Sequence, residues 1–551
     1  MMDKKALLAI VLSFGIWMGW QKLYLEPFQQ KALEEQKTYE AARQASLQKA
    51  APSIESSATK TSIAPVSNLS SSSQEPSKNA SVSKADFKVN VTNGNSLLDD
   101  WVLSNYSKSI DNRSDQISLE YVTGYAKQLS LRFVDASFTD LNDKNWSNFQ
   151  EKNGSISAEL NNSEASISRN FAVHSTDYYG DLTYHFHFNG TPPKYIFLDL
   201  AGSPKRPHDK EGSIFGQIPD KVRFSFRDGT QRKTIIASAL KETFESSAGV
   251  KWFGIDSRYF VFAVSPDRAF RDTTGIQIAK EFSNGVEYVR GSVVIPTDGK
   301  QDFSFPLKVY FGPKRIENLE AADPIFSDTI DFGWTTPIAI PILKALKWLY
   351  EYVKNYGLSI IILTFLIKVL LFPLTYKSMT SMAKMAKLQP QLNVLREKYK
   401  NDKEKLNTEM LSFMKTNGYN PVGGCLPTLL QMPIFFSLYR VFFNSMELYQ
   451  APFVGWIHDL SAPDPLFVAP VLLAGLMFLQ QRLSPNTATD PAQQKMMQFM
   501  PLMFGLFMFF LPAGLNIYMV VNSVTSITQQ YILNRRFGLY PRTKATVTPV
   551  A

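Results

Sequence analysis

Residues Leu358 to Leu374 read LSIIILTFLIKVLLFPL, an almost unbroken apolar run of bilayer-spanning length with one basic residue, Lys368, well inside it. At about 1.5 Å of rise per residue, Lys368 lies roughly 15 Å below the first residue of the run. An ionisable group at that depth is unfavourable by about 2.5 to 3.5 kcal/mol on insertion scales, and its default reading is functional. The bland alternative is a lysine that snorkels to the interface from a tilted helix. Thr364, four residues earlier, falls on the same helical face.

Downstream of this span, residues 377–419 are dense in Lys384, Lys387, Arg396, Lys398, Lys400, Lys403 and Lys405. Leu392, Leu395 and Tyr399 form one helical stripe, and Leu406, Met410 and Phe413 form another. Asn401 with Glu404 resembles a capping box between them, so the segment reads as a helical hairpin. Further spans follow at Gly424 to Phe443, Pro465 to Gln481, Met496 to Leu511 and Leu515 to Leu533. The loop Glu447 to Asp464 has no lysine or arginine, and Pro512-Ala513-Gly514 makes an uncharged turn. The basic segments instead bracket the other ends of the spans, and the tail 536–551 is basic.

Upstream, Pro341 to Tyr356 places Lys344, Lys347, Glu351 and Lys354 on one stripe and Ile342, Leu343, Leu346, Leu349 and Val353 on the other. Such a helix lies in the membrane interface, within a linker region 316–357. By this topology its lysines face outside, against the positive-inside tendency. Residues 85–315 are strand-like: Phe87, Val89 and Val91 alternate, as do Leu129, Leu131 and Phe133, and Tyr259 to Val264 reads as a buried strand. Asn93-Gly94, Asn189-Gly190, Asp228-Gly229 and Asp298-Gly299 supply turns, which makes this an all-β sandwich. Residues 29–84 are rich in Gln, Lys, Ala and Ser and read as a tether. Lys4 and Lys5 precede the apolar run of an N-terminal anchor, 1–28, with no cleavage site of small residues. The fold class is a polytopic α-helical membrane protein with six spans, both termini cytoplasmic, a cytoplasmic hairpin and an inserted β-sandwich.

The net charge of +9 follows from lysines and arginines beside apolar spans, where they act as topology signals or meet anionic lipid, which sets DNA aside. One cysteine, Cys425, excludes an intramolecular disulfide. Five histidines and that cysteine make no zinc-type spacing, and His185 and His187 alternate with Tyr184, Phe186 and Phe188 as the polar face of a strand would. No cofactor or metal is expected, and the β region shows no nucleophile motif or convincing carboxylate pair.

The C-terminal half resembles the bacterial YidC membrane protein insertases. The similarity rests on Leu363-Thr364-Phe365, Thr380 to Met385, Asn420 to Cys425 with Gln431 to Phe435, Ala451 to Phe453, and Trp456 to Ser461. Ser484-Pro485, Thr489 to Pro491, Gln493 to Lys495, and Pro512 with Gly514-Leu515 continue it, so that it covers roughly Phe332 to Arg536. The anchor, tether and β region resemble the Gram-negative form in order and size, with Tyr310 to Pro313 as the specific motif there. The resemblance implies an inner-membrane protein with its β domain in the periplasm. It implies a polar groove open to the cytoplasm and to lipid, nascent membrane proteins as substrates, and partnership with the Sec translocon and ribosomes. Lys368 falls where the family usually has arginine, which keeps the charge and loses the bidentate fork.

Residue patterns add to this. Gln431 with Thr428, and Tyr518 with Asn522, put polar groups at helical spacing on two other spans, so that the candidate groove is Lys368, Thr364, Gln431, Thr428, Tyr518 and Asn522. The bland reading of each is an interhelical hydrogen bond worth about 0.6 kcal/mol. The five C-terminal spans contain no aspartate or glutamate, so Lys368 must be hydrated to stay charged. Met496, Met500 and Met503 form a candidate hydrophobic slide on a span of about 24 Å, short enough to thin the bilayer locally. The expected activity is insertion and chaperoning of transmembrane segments without covalent chemistry. The alternatives are a solute transporter or channel, which the missing carboxylates disfavour, and a periplasmic saccharide-binding or enzymatic module on a membrane anchor.

Overall fold

The computed structural model describes residues 78–125, 127–174, 176–204, 221–229, 231–283, 286–399, 402–417, 421–483 and 491–537. The alternation of Phe87, Val89 and Val91 does what a period of two requires, and all three side chains are fully buried. Strand structure begins at Asn79, ahead of the expected Ala85, and extends to Pro313. It forms two nine-stranded sheets. One runs Asn79–Ser83, Phe87–Thr92, Ser96–Ser107, Gln128–Arg132, Tyr195–Gly202, Val286–Pro296, Gly275–Ser283 and Phe244–Ser246, with Gln116–Ser118 paired to Ser96–Ser107. The other runs Gln231–Ile236, Arg223–Asp228, Val250–Asp256, Phe260–Pro266, Asp302–Pro313, Tyr179–Phe188, Ala165–Val173, Ser155–Asn161 and Ser147–Lys152.

The sheets bury one face each against the other, which is the sandwich expected from the sequence. Trp101 of the first packs against Phe171 and Phe311 of the second, with ring centroids 6.4 and 6.0 Å away. His185 and His187 lie on the exposed face, bonded to Ser304 and Asp302, while Tyr184, Phe186 and Phe188 are buried. A cation enters this core. Arg169 is 1% exposed, donates to the Thr92 carbonyl at 2.6 Å and stacks over Trp146 at 4.2 Å. Burial pushes its guanidinium down to about 10, which leaves it charged at neutral pH.

The helices follow. Helix α1, Thr336–Val353, starts earlier than the expected Pro341 and buries Ile342, Leu343, Leu346 and Leu349. Trp348 and Tyr352 are exposed, as on an interfacial helix. It ends where Lys354 turns into the left-handed region at φ 51°. Lys347 pairs with Glu317 and with Glu447, which neutralises one of the lysines that conflicted with the positive-inside tendency.

Helix α2, Tyr356–Lys398, is capped by the Asn355 carboxamide, whose oxygen accepts from the Leu358 N–H. Its 43 residues join the opening span and the first hairpin arm into one helix, which passes through Pro373 and Pro390. Helix α3, Lys403–Thr416, forms the second arm. Leu392 is fully buried, with Met410 and Phe413 packed on it, so the two apolar stripes do meet. The cap at the start of α3 comes from Asp402, which accepts from the Lys405 N–H; Asn401 lies outside the described residues.

Helices α4, Pro421–Asn444, α5, Val468–Leu483, α6, Pro491–Met508, and α7, Ala513–Phe537, complete the chain as described. Ala513 and Gly514 belong to the first turn of α7 rather than to a separate turn, and their N–H groups, which have no intrahelical acceptor at a helix start, bond the Ala462 and Leu460 carbonyls. Among the described residues one helical stretch, Tyr356–Ser381, has the length and composition to cross a membrane, with a mean hydropathy of 2.4. Val468–Leu483 and Phe499–Met508 are apolar and shorter, and the expected N-terminal anchor lies outside the described residues. The helices bury a shared core of Ile360, Leu363, Leu438, Phe442, Leu473, Met508, Leu515 and Tyr518.

The loop after α4 fastens the sandwich to this core. Tyr449 donates to the Ser107 carbonyl at 2.7 Å, Gln450 exchanges two hydrogen bonds with Ser107, and Tyr449 packs on Tyr259 and Phe260.

Gly291 gives a sharp test of the sandwich. A Cβ there would fall 2.3 Å from the Phe253 ring and 2.7 Å from that of Phe224, both on the facing sheet. Gly291→Ala is expected to destabilise the chain by about 1 to 3 kcal/mol, read from chemical unfolding followed by tryptophan fluorescence. An unchanged midpoint would mean that the facing rings can withdraw without loss.

Candidate functional site

Lys368 lies at the contact between α2 and α7, half-buried, and its Nζ donates to the Ser526 hydroxyl at 2.8 Å. The Ser526 hydroxyl in turn donates to the Asn522 carbonyl at 2.7 Å. No acidic side chain pairs with Lys368 among the described residues, and α4, α5, α6 and α7 contain no aspartate or glutamate at all. A neutral hydroxyl is therefore its protein ligand.

Tyr518 and Asn522 lie on the same helix one turn apart. Continuing at intervals of four gives Ser526, Gln530 and Asn534, so one face of α7 is polar along most of its length. Tyr518 is buried and accepts from Gln431 of α4 at 3.1 Å. Gln530 donates to Asn534, which donates to the Leu483 carbonyl at the end of α5. The Asn522 side-chain oxygen is buried and has no hydrogen-bond partner among the described residues. The structure thus brings Lys368, Gln431, Tyr518 and Asn522 onto one seam. Ser526, Gln530 and Asn534 were not singled out from the sequence; extension of the Tyr518–Asn522 spacing is the signal that identifies them.

Thr364 shares the helical face of Lys368 but not its environment. It is 2% exposed, and its hydroxyl donates back to the Ile360 carbonyl at 2.6 Å, so its polar atom is satisfied within α2. The side chain of Thr428 lies outside the described residues, as does that of Met496.

Met500 and Met503 are exposed on α6, beside exposed Phe499, Leu506 and Phe507. Exposed apolar side chains also cover α2 at Phe365, Leu366, Val369 and Leu370, and α5 at Val471, Leu472, Phe478 and Leu479. A bundle with so much outward apolar surface is suited to contact with lipid or with another apolar helix. In the hairpin, Lys387, Lys398 and Lys405 are exposed, and Lys398 and Lys405 both approach the Tyr399 ring. Arg396 is half-buried; the side chains of Lys384 and Lys403 and the whole of Lys400 lie outside the described residues.

A family model for the YidC periplasmic domain matches residues 79–345, and one for the 60Kd inner membrane protein matches residues 348–539. A Geobacter sp. (strain M21) protein named membrane protein insertase YidC is 40% identical over 52% of this chain and 53% of its own length. In that alignment the chain spans about half of the relative. A Lawsonia intracellularis protein of the same name is 32% identical over 97% of this chain and 100% of its own. A crystal structure described as an active YidC insertase with the first transmembrane domain resolved is similar over 83% of this chain and 95% of that one, at 16% identity and a TM-score of 0.37. On its full-length similarity and both domain matches, this chain belongs to the YidC family of membrane protein insertases, as an inner-membrane protein with a periplasmic β-sandwich.

Proposed function

We propose that this protein inserts transmembrane segments of nascent membrane proteins and assists their folding, without covalent chemistry. The observation that carries the reading is Lys368 held by Ser526 with no acidic partner among the described residues. A cation held by a neutral hydroxyl keeps most of its field available to an acidic or polar segment of an incoming chain. The hydroxyl, carboxamide and phenol groups of the α7 seam offer hydrogen bonds that such a segment loses on leaving water. Its apolar part then moves along the exposed faces of α2 and α6, with Met500 and Met503 as adaptable contacts, and hydrophobic transfer into lipid drives release.

In this reading six spans place both termini and the basic hairpin in the cytoplasm. Lys387, Lys398 and Lys405 there suit anionic lipid or the RNA of a ribosome, and the Sec translocon is a partner for larger substrates. A short α6 thins the bilayer beside the seam and lowers the barrier to a polar tail.

The electrostatic step is tested by reconstituting insertion of a small two-span protein with Lys368→Arg, Lys368→Ala and Lys368→Glu. Arginine is expected to retain insertion, and glutamate to reduce it by at least about tenfold, since like-charge juxtaposition is unfavourable by several kcal/mol. Equal insertion by the glutamate variant would remove charge from the mechanism. The slide is tested with Met500 and Met503 changed together. Leucine at both is expected to leave insertion within about twofold, and serine at both to lower it well below that, because the contact needs apolar surface rather than sulfur.

A further inference from the structure

A second polar site lies where the sandwich meets the membrane core, at the opposite end of α4 from the hairpin. A pocket of about 190 Å³ is lined by Arg223, Arg232 and Asp256 from the sandwich, Lys314 just beyond its last strand, Asp331 of the linker and Arg440 in the last turns of α4. A water needs about 10 to 15 Å³ measured in this way, so there is room for a group of several heavy atoms.

Positive charge in this pocket exceeds its internal compensation. Arg223, Arg232, Lys314 and Arg440 face two carboxylates, Asp256 and Asp331. Asp256 is already shared by Lys314, Arg232 at 3.0 Å and Arg223 at 3.6 Å, and Asp331 lies 3.4 Å from Arg232. Arg440 has no carboxylate partner among the described residues. The Nε atoms of Arg223 and Arg232 and the Thr329 hydroxyl are buried and find no acceptor among the described residues. Buried donors left unmet are unfavourable by about 1 to 3 kcal/mol each, and an anion with several acceptor oxygens answers them together. Burial first, then the Arg223 and Arg232 guanidiniums, push the Lys314 ammonium down to about 8, against the pull of Asp256.

The surroundings identify the source of the anion. Arg440 interrupts the largely apolar run Ile434 to Phe443 one turn before Asn444 closes it, the level at which a span reaches lipid headgroups. Beside them Trp334 is 69% exposed and meets Phe436 edge-on at 6.2 Å, as a tryptophan at the interface does. Met432 and Phe436 extend an exposed apolar track from the pocket along α4. A basic pocket with a tryptophan rim and an apolar track fits a headgroup and an acyl chain.

We propose that this pocket binds the phosphate of an anionic phospholipid from the periplasm-facing leaflet, tying the sandwich and α4 to the membrane surface. The site is separate from the Lys368 seam and from the cytoplasmic hairpin.

The test titrates the purified full-length protein in detergent with phosphatidylglycerol, phosphatidylcholine or inorganic phosphate. Native mass spectrometry reads lipid retention, and melting temperature reads stabilisation by every addition. Arg440→Gln, at an exposed position, and Arg223→Gln are compared with wild type. Phosphatidylglycerol is expected to be retained and to raise the melting temperature, phosphatidylcholine and inorganic phosphate to do neither. Arg440→Gln is expected to weaken phosphatidylglycerol retention about fivefold, the equivalent of one basic residue at a membrane surface. Equal retention by wild type and both variants overturns the site. Stabilisation by inorganic phosphate alone, lost in the Arg440 variant, overturns the lipid as its source.

Discussion

A cation without a counter-charge is the constraint on which the membrane core depends. In hydrocarbon Lys368 is tolerable only if water or hydrogen-bond acceptors replace its lost hydration. The helices around it supply a serine hydroxyl, not a carboxylate, and α4 to α7 contain no acidic residue from which one could come. On the proposed reading that combination calls for water at Lys368, and such water would account for a face of α7 that stays polar from Tyr518 to Asn534. Outside the seam the requirement reverses, and the helices carry exposed Phe, Leu, Val and Met. A polar seam beside a buried apolar core, with apolar side chains also facing outward, differs from a soluble bundle, and on the proposed reading it suits a surface that passes segments from water to lipid.

The sandwich serves that core through a fixed attachment. Tyr449 and Gln450 reach the end of one strand at Ser107, while Lys347 joins Glu317 after the last strand to Glu447 in the membrane-core loop. Glu447 is 5% exposed, and burial raises its carboxyl above the ordinary range even with Lys347 and Arg315 nearby. Such contacts join the domain to the same end of α4 at which the basic pocket opens. The polar seam and the domain attachment thus share one helix, with Gln431 facing the seam and Arg440 facing the sandwich.

What the sequence made legible was local periodicity. Phe87, Val89 and Val91 alternate and are buried; Leu392, Met410 and Phe413 recur at helical spacing and pack together; His185 and His187 fall on the open face of a strand. Contacts between distant residues were not legible. Lys368 and Ser526 are 158 positions apart, and the pocket gathers residues from segments between Arg223 and Asn444. Local competition was not legible either. Asn401 and Asp402 are adjacent and both able to cap, and the carboxylate of Asp402 accepts the bond. The opening span and the first hairpin arm read as successive segments, yet a long helix tolerates proline where neighbours satisfy the freed carbonyl, and α2 runs on through Pro373 into the hairpin. Thr364 had the right face and the wrong destination, because a hydroxyl four residues above a carbonyl can bond within its own helix.

The most direct test of the hydrated charge is competitive labelling of Lys368 in sealed proteoliposomes with a membrane-impermeant, amine-specific acylating reagent, added to one face at a time and read by mass spectrometry. Modification from the cytoplasmic face and protection from the periplasmic face is the expected result, since water must reach the amine from one side. Protection from both faces, in protein that inserts its substrate, would contradict a hydrated Lys368.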